Sequence, residues 1–181
     1  VYEAREEITQ TFTVLLPVDT LVFAAQQPRL VNLPVRADAY IIPGGAAEIS
    51  QLISSRTTLM KGSTYTALSM FSFANVGMLR NAGVAYPNWV SERYLQLPAD
   101  LPAMVRTQAQ SIAGQLATPY DKAIAIESWL RANITYDENM PAPLQGQDGV
   151  EYVLTNRRGY CDYYASAMVV MLRSLGVPAR V

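Results

Sequence analysis

Ile8, Gln10, Phe12 and Val14 alternate along the chain with Glu7, Thr9, Thr11 and Thr13. A period of two, rich in Thr and β-branched residues, is the pattern of a half-buried strand. Pro17-Val18-Asp19 breaks it. Short apolar runs follow at Leu21 to Ala24, Leu30 to Val35 and Ala39 to Ile42, separated by prolines or by Gly44-Gly45, which reads as a turn. A further run from Ser63 to Phe73 carries Tyr65, Leu68, Met70 and Phe71. Proline has no N–H to give a ladder, so Pro17, Pro28, Pro34 and Pro43 belong at strand ends or edges. The pattern predicts a small antiparallel sheet or sandwich.

After Ala74 the period lengthens. Asn75 to Asn81 can form a short helix closed by Gly83, and Ala85 to Pro98 reads as an aromatic, proline-marked connector, too apolar to stay solvated. A clear helix runs from Asp100, which suits an N-cap, to about Gln115, with Val105, Ala109, Ile112 and Leu116 at helical spacing. A second opens at Thr118 with Pro119 in its first turn, and Ala123, Ile126, Trp129, Leu130 and Ile134 line one face. Asp137 to Gly146 is a polar loop. Asp148 can cap a short helix through Val153 and Leu154 that ends before Gly159. The last helix begins near Cys161, runs to Leu175, and stops at Gly176 and Pro178. The fold class expected is α+β, a strand-rich module over residues 1–98 followed by a helical part over 99–181.

Composition narrows the function. Half of the 181 residues are apolar, 16% are charged and the net charge is -1. That excludes disorder and argues against a nucleic-acid partner, which calls for a clustered basic excess. No apolar run approaches the ~20 residues that span a bilayer, so no membrane contact by this chain is expected. A single cysteine allows no internal disulfide, and there is no histidine. A Cys–His pair therefore cannot be completed within the chain, and the usual nitrogen ligand of zinc is missing. No phosphate loop, metal cluster or calcium loop is present, so neither a cofactor nor a metal is expected. The chain starts at Val1, and Pro178-Ala179-Arg180-Val181 reads as the start of a strand, so a piece of a longer protein is expected.

The candidate chemistry lies in Gly159-Tyr160-Cys161-Asp162-Tyr163-Tyr164-Ala165-Ser166-Ala167. A glycine lets the backbone turn sharply, and a cysteine then opens a helix. A helix N-terminus favours the thiolate and offers backbone N–H groups to an oxyanion. Behind Cys161 the helix is apolar almost all round, with Ala165, Met168, Leu172 and Leu175 on one face. A lone cysteine is also often just a small buried hydrophobe, and residue spacing leaves both readings standing. Tyr136 could donate to an oxyanion or simply pack. Trp129 at helical spacing reads as core, whereas Trp89 could lie near a cleft. Arg157-Arg158 reads as a solvated helix end, and Arg173 and Arg180 as surface charges or partners of acids elsewhere.

Arg158-Gly159-Tyr160-Cys161-Asp162-Tyr163-Tyr164-Ala165-Ser166-Ala167-Met168, followed by Leu172-Arg173-Ser174-Leu175-Gly176-Val177-Pro178-Ala179-Arg180-Val181, resembles the core motif of the transglutaminase-like superfamily. Thr118-Pro119-Tyr120-Asp121-Lys122-Ala123 through Trp129-Leu130, then Ile134-Thr135-Tyr136, resembles the preceding helix of bacterial members. Tyr94-Leu95-Gln96-Leu97-Pro98 and the strand-rich region resemble the extracytoplasmic segment of multi-pass bacterial membrane proteins that carry this domain. The resemblance implies a papain-like core whose helical half is present here, with Cys161 as the nucleophile of a Cys-His-Asp triad. The His and Asp would follow on strands beyond Val181, and Asp162 cannot act as the orienting acid without a His. It further implies acyl transfer through a thioester on a protein or peptide substrate, on the extracytoplasmic side of a bacterial membrane. This chain alone would then be inactive, and the apolar face of its cysteine helix could pair with a second copy. A non-catalytic module that binds peptide or cell-wall material, or a scaffold, is the alternative.

Overall fold

The computed structural model describes residues 4–16, 20–41, 43, 47–54 and 58–181. Two compact units divide the chain, Val1–Asn75 and Val76–Val181. Residues 76–98, grouped above with the strand-rich module, thus count with the second unit. Hydrogen bonds tie them there: Arg80 bonds Asp121 at 2.8 Å, the Tyr94 carbonyl accepts from Ala179 N–H at 3.1 Å, and the Gln96 carbonyl accepts from Arg173 at 2.9 Å.

Among the described residues the first unit holds five strands, β1 (Arg5–Thr13), β2 (Pro28–Val31), β3 (Val35–Ile41), β4 (Ala47–Ser54) and β5 (Thr64–Ser72). β5 lies between β1 and β2 in an antiparallel sheet, and β3 pairs with β4. The β1–β5 register is unbroken from Arg5↔Ser72 to Thr13↔Thr64. As the central strand, β5 buries every second residue, Tyr65, Ala67 and Ser69. Phe12 stacks on Tyr65 with ring centroids 5.1 Å apart. The Tyr65 hydroxyl accepts from Phe23 N–H and donates to the Phe23 carbonyl, which satisfies a nearly buried polar group. Val14, Val22, Leu52 and Leu59 complete this core.

Two details depart from the reading above. Leu21 to Ala24 forms no strand; it makes an isolated bridge, Leu21↔Ile53, and Val22 N–H bonds the Leu52 carbonyl. β4 went unread because a bulge disrupts its period. Asp38 pairs with Gln51 and Ala39 with Ile49, so Ser50 is an extra residue. Ile49 and Leu52, of opposite parity, consequently join one cluster. Pro28 begins β2, Pro34 precedes β3 and Pro43 follows it, as a residue without an N–H should. Pro17 and Gly44-Gly45 lie outside the described residues.

The second unit holds α1 (Val76–Asn81), α2 (Asn88–Tyr94), α3 (Ala103–Ala113), α4 (Pro119–Asn133), β6 (Thr135–Tyr136), α5 (Gly149–Asn156), β7 (Arg158–Gly159) and α6 (Cys161–Ser174). α3 starts three residues after Asp100, at Pro102 as N-cap. The residue before a proline is driven out of helical conformation, so Leu101 cannot belong to the helix. α2 lies in the stretch that the sequence pattern presents as a connector; it is a seven-residue helix with no fully buried residue and so leaves little trace in the hydrophobic pattern. α4 begins as expected, with the Thr118 hydroxyl accepting from Asp121 N–H at 3.0 Å. Asp148 caps α5 by accepting from Val150 and Glu151 N–H. Gly176, at φ +76, ends α6.

α3, α4, α5 and α6 share one core built on Val105, Ala109, Ile126, Leu130, Val153, Ala167 and Met171. Val105, Ile126, Val153 and Met171 are fully buried, each side chain worth about 1.5–3 kcal/mol of transfer free energy. That rigid block fixes the first turn of α6 in space. Taken together, strands in the first unit and helices in the second make the chain α+β.

Candidate active site

Cys161 is the first residue of α6, and its side chain is exposed. Its sulfur lies 3.5 Å from Asp162 Oδ1, to which the thiol can donate. Tyr160, the N-cap, has extended backbone, and among the described residues no side chain caps the helix. The first-turn N–H groups are therefore not spent on a capping side chain. Cys161 opens onto a groove of about 480 Å³ lined by Leu130, Tyr136, Tyr164, Ala165 and Met168, with Glu127 and Arg131 of α4 also on its wall. Glu127 and Arg131 are themselves ion-paired across one helical turn. Most of the surface of the wall is apolar.

Gly159 is required here for a different reason from the one expected. Its backbone is not left-handed; the left-handed residue is Arg157, at φ 58. A Cβ on Gly159 would sit 2.7 Å from Val153 Cγ2 and 3.0 Å from Tyr163 Cβ. Glycine thus allows β7 to pass tightly between α5 and α6, and the turn itself is made two residues earlier.

Tyr136 reaches the cysteine through a short parallel bridge. β6 pairs with β7, Thr135 opposite Arg158 and Tyr136 opposite Gly159. Thr135 N–H bonds the Arg157 carbonyl at 2.8 Å, and Asp137 N–H bonds the Gly159 carbonyl at 2.9 Å. Arg158 then pairs with Asp137 at 2.5 Å, its carboxylate side chain only 13% exposed. Backbone and side chains staple Tyr136 beside the cysteine turn. The phenol donates to Glu138 Oε1 at 3.0 Å, and Tyr136 lines the same groove as Cys161. The Glu138 acceptor, foremost, and then partial burial and the charges of Glu138 and Cys161 push the Tyr136 phenol above its ordinary pKa. Tyr164, one turn into α6, donates to the Ile134 carbonyl and ties the end of α4 to the cysteine helix.

Other residues resolve as follows. Trp129 is half-buried against the helical core, with the Arg157 guanidinium 4.6 Å above its ring. Arg157 and Arg158 are thus a ring-stacked cation and an ion-pair partner, not a merely solvated helix end. Arg173 donates to the carbonyls of Ala179 and Gln96, so backbone, not an acid, takes its charge. Trp89 packs edge-on against Tyr94 at 6.3 Å and lies outside the groove lining. Glu138 and the Asp137–Arg158 pair escaped the sequence reading, because a polar loop carries no period to expose them. Among the described residues, no cluster of His, Cys, Asp or Glu could hold a metal, and no helix is long and apolar enough to cross a membrane.

Comparisons with known proteins bear on this unit. Residues 106–181 match the model of the Transglutaminase-like superfamily. The protein YebA of Bacillus subtilis is 44% identical over 93 residues, which are 50% of this chain and 13% of that protein. A protein-glutamine gamma-glutamyltransferase of Pseudomonas aeruginosa is 31% identical over 85 residues, 45% of this chain and 13% of that one. The stretch matched is thus a small part of each relative. Among solved structures, the periplasmic domain of TgpA from Pseudomonas aeruginosa superposes with a TM-score of 0.60 at 22% identity, covering 96% of this chain and 54% of that one. A putative cysteine protease from Cytophaga hutchinsonii gives 0.53 at 18% identity, over 95% and 63%. These two likenesses speak to fold. The motif at Arg158 to Val181, the helix that presents Cys161 and the matched family model agree: over residues 106–181 the chain carries a transglutaminase-like core.

Proposed function

We propose that this chain supplies the nucleophile of a cysteine-dependent acyl-transfer enzyme acting on protein or peptide substrates outside the bacterial cytoplasm. The observation that carries the reading is Cys161 itself: exposed, first in a 14-residue helix, and open to an apolar groove beside Tyr136. The Cys161 thiolate attacks the carbonyl carbon of a glutamine side-chain amide or a peptide bond. The resulting oxyanion is held by the backbone N–H of Cys161 at the start of α6, and the Tyr136 hydroxyl, which lines the same groove, serves as second donor once it gives up its bond to Glu138. Collapse breaks the C–N bond, and the departing nitrogen takes a proton as the thioester forms. An amine or water then attacks the thioester and frees the thiol.

Both proton transfers need a base and an acid, and this chain contains no histidine. On this reading the triad's His and Asp lie beyond Val181. The name of the Pseudomonas aeruginosa relative supports transfer from glutamine, and the periplasmic TgpA neighbour supports the location. The test compares this chain with a longer one that includes the expected His and Asp, on glutamine and peptide substrates. The longer chain should turn over, Cys161→Ala should abolish that turnover, and the 181-residue chain should be inert. Cys161-dependent turnover by the short chain would refute the triad, and an inert longer chain on a broad panel would favour a binding module.

A further inference from the structure

Arg131 lies in the last turn of α4, and its side chain is 77% exposed. Its Nε is paired with Glu127 Oε1 one turn earlier. That bond leaves both terminal nitrogens of the guanidinium without a partner among the described residues. Arg131 is also the one cation among the residues that line the groove holding Cys161. Two contacts fix its place relative to the cysteine helix. Leu130, the residue before it, is buried in the core that α4 shares with α6, and Tyr164 donates to the Ile134 carbonyl, which ties the end of α4 to α6. A Glu followed four residues later by an Arg stabilises any helix, and a cation suits a helix C-terminus. Neither reason calls for the guanidinium to stand on the wall of a mostly apolar groove that also holds a nucleophile. A volume of about 480 Å³ is roughly 8 Å across, about the reach of two extended residues at ~3.3–3.6 Å each.

We propose that Arg131 is a specificity-determining residue: its guanidinium receives a carboxylate that the substrate carries one or two residues from the amide attacked by Cys161. A guanidinium keeps its charge at any working pH and presents its N–H groups as a planar fork that fits a carboxylate. With Nε held by Glu127, the end of the fork, Nη1 and Nη2, remains for a ligand. Acids stand closer to the nucleophile: Asp162, 3.5 Å from the sulfur, and Glu138, on the Tyr136 hydroxyl. They disfavour an anion beside the reacting carbon, so the carboxylate belongs at the α4 wall and the neutral amide at the cysteine. The substrate class is a peptide with an acidic side chain, or a free terminal carboxylate, close to the reacting amide. The inference rests on Cys161 being the nucleophile.

Cys161 is the sole cysteine of the chain, so three affinity labels that share one electrophile can be compared on it. Iodoacetyl-glutamate amide carries a side-chain carboxylate, iodoacetyl-glutamine a terminal one, and iodoacetyl-glutamine amide is the neutral isostere. All three meet the same thiolate, so its protonation state cancels from the ratio of their rates. At low salt the 181-residue chain should react about threefold faster with a carboxylate label than with the neutral one, the size of an exposed ion pair. Which carboxylate label is faster tells side chain from terminus. High salt should remove most of the difference. Arg131→Met should abolish it, and Arg131→Lys, which keeps the charge but not the fork, should keep part. Glu127→Gln leaves Nε an acceptor and removes a competing negative charge, so the difference should grow. Circular dichroism checks that each variant keeps its helices. The inference is overturned if neither carboxylate label is preferred, or if the preference survives Arg131→Met. It is also overturned if the preference is absent from the longer chain, since the groove would then be filled there. Alkylation needs no turnover, so a longer chain inert on every substrate would sink the acyl-transfer reading and leave this result to stand or fall separately.

Discussion

Replacing Gly159 by alanine tests whether close packing, and not backbone conformation, places the cysteine turn. The new methyl would stand 2.7 Å from Val153 Cγ2 and 3.0 Å from Tyr163 Cβ, where ordinary contacts lie at 3.4–4 Å. Val153 is fully buried and β-branched, so it cannot rotate out of the way cheaply. Relief must come from moving α5 or the first turn of α6. Overpacking of this kind costs about 1–3 kcal/mol. Val153→Ala alone removes two buried methyl groups and leaves a cavity, a loss of ~2 kcal/mol. The two substitutions should not add. With Cγ2 gone the new methyl has room on that side, and only the 3.0 Å approach to Tyr163 remains, which a shift of a few tenths of an ångström relieves. The double variant should therefore be no less stable than Val153→Ala, with a coupling of roughly 1–2 kcal/mol. Both tryptophans, Trp89 and Trp129, belong to the second unit, so urea unfolding followed by tryptophan emission reports on that unit alone. Additive losses, or a Gly159→Ala variant as stable as the parent chain, would refute the packing argument and return Gly159 to the role of a simple turn residue.

Three further outcomes are expected. Thr118→Ala, which removes the hydroxyl capping α4, should lower the stability of the second unit by ~1 kcal/mol in the same unfolding assay, and Thr118→Ser should restore most of it. Arg80→Met should let the Asp121 carboxyl rise toward its ordinary range, since the Arg80 hydrogen bond, ahead of that from Thr118, holds it below. A depressed folded-state value stabilises the fold above the ordinary carboxylate range and loses that effect as pH falls through the depressed value; in Arg80→Met this acid-side loss should shrink, as carboxyl NMR titration and acid unfolding can check. Asp137→Asn, which removes the charge facing Arg158 but keeps the backbone bridge, should speed amide exchange at Thr135 and Asp137 relative to the α4 core; unchanged exchange would mean that the backbone bonds alone hold β6 to β7.

How much of the fold was legible follows from burial. β1 declared itself by a regular alternation, β5 only as an apolar run whose buried face, Tyr65, Ala67 and Ser69, the large residues of the run do not mark, and α4 because Thr118 and Pro119 mark its start while Ile126 and Leu130 set its face. The α5 cap was legible for the same reason: an Asp immediately before a short apolar stretch has one good use. Elements that bury little, such as α2, or whose period is interrupted, such as β4 with its extra Ser50, gave no such signal. Asp100 was a sound capping residue in the wrong place, because Pro102 overrode it.

The candidate site divides along the same line. Cys161 was visible as a residue that opens an apolar helix, since helix and nucleophile are contiguous in sequence. Its neighbours are not. Tyr136 stands 25 positions earlier and comes beside the cysteine turn only because two two-residue strands pair in parallel, Thr135 with Arg158 and Tyr136 with Gly159. Pairs that short have no hydrophobic period, and their bonds are made by backbone groups that every residue carries. The arginines show what this hides. In sequence Arg157 and Arg158 are adjacent cations at a helix end, yet one takes the left-handed conformation and stacks on Trp129 while the other neutralises Asp137. Each fixes one end of the bridge that carries Tyr136 to Cys161. The reactive group can thus be read from one segment of the chain, whereas the geometry that would make it selective is set by residues whose roles exist only once the segments meet.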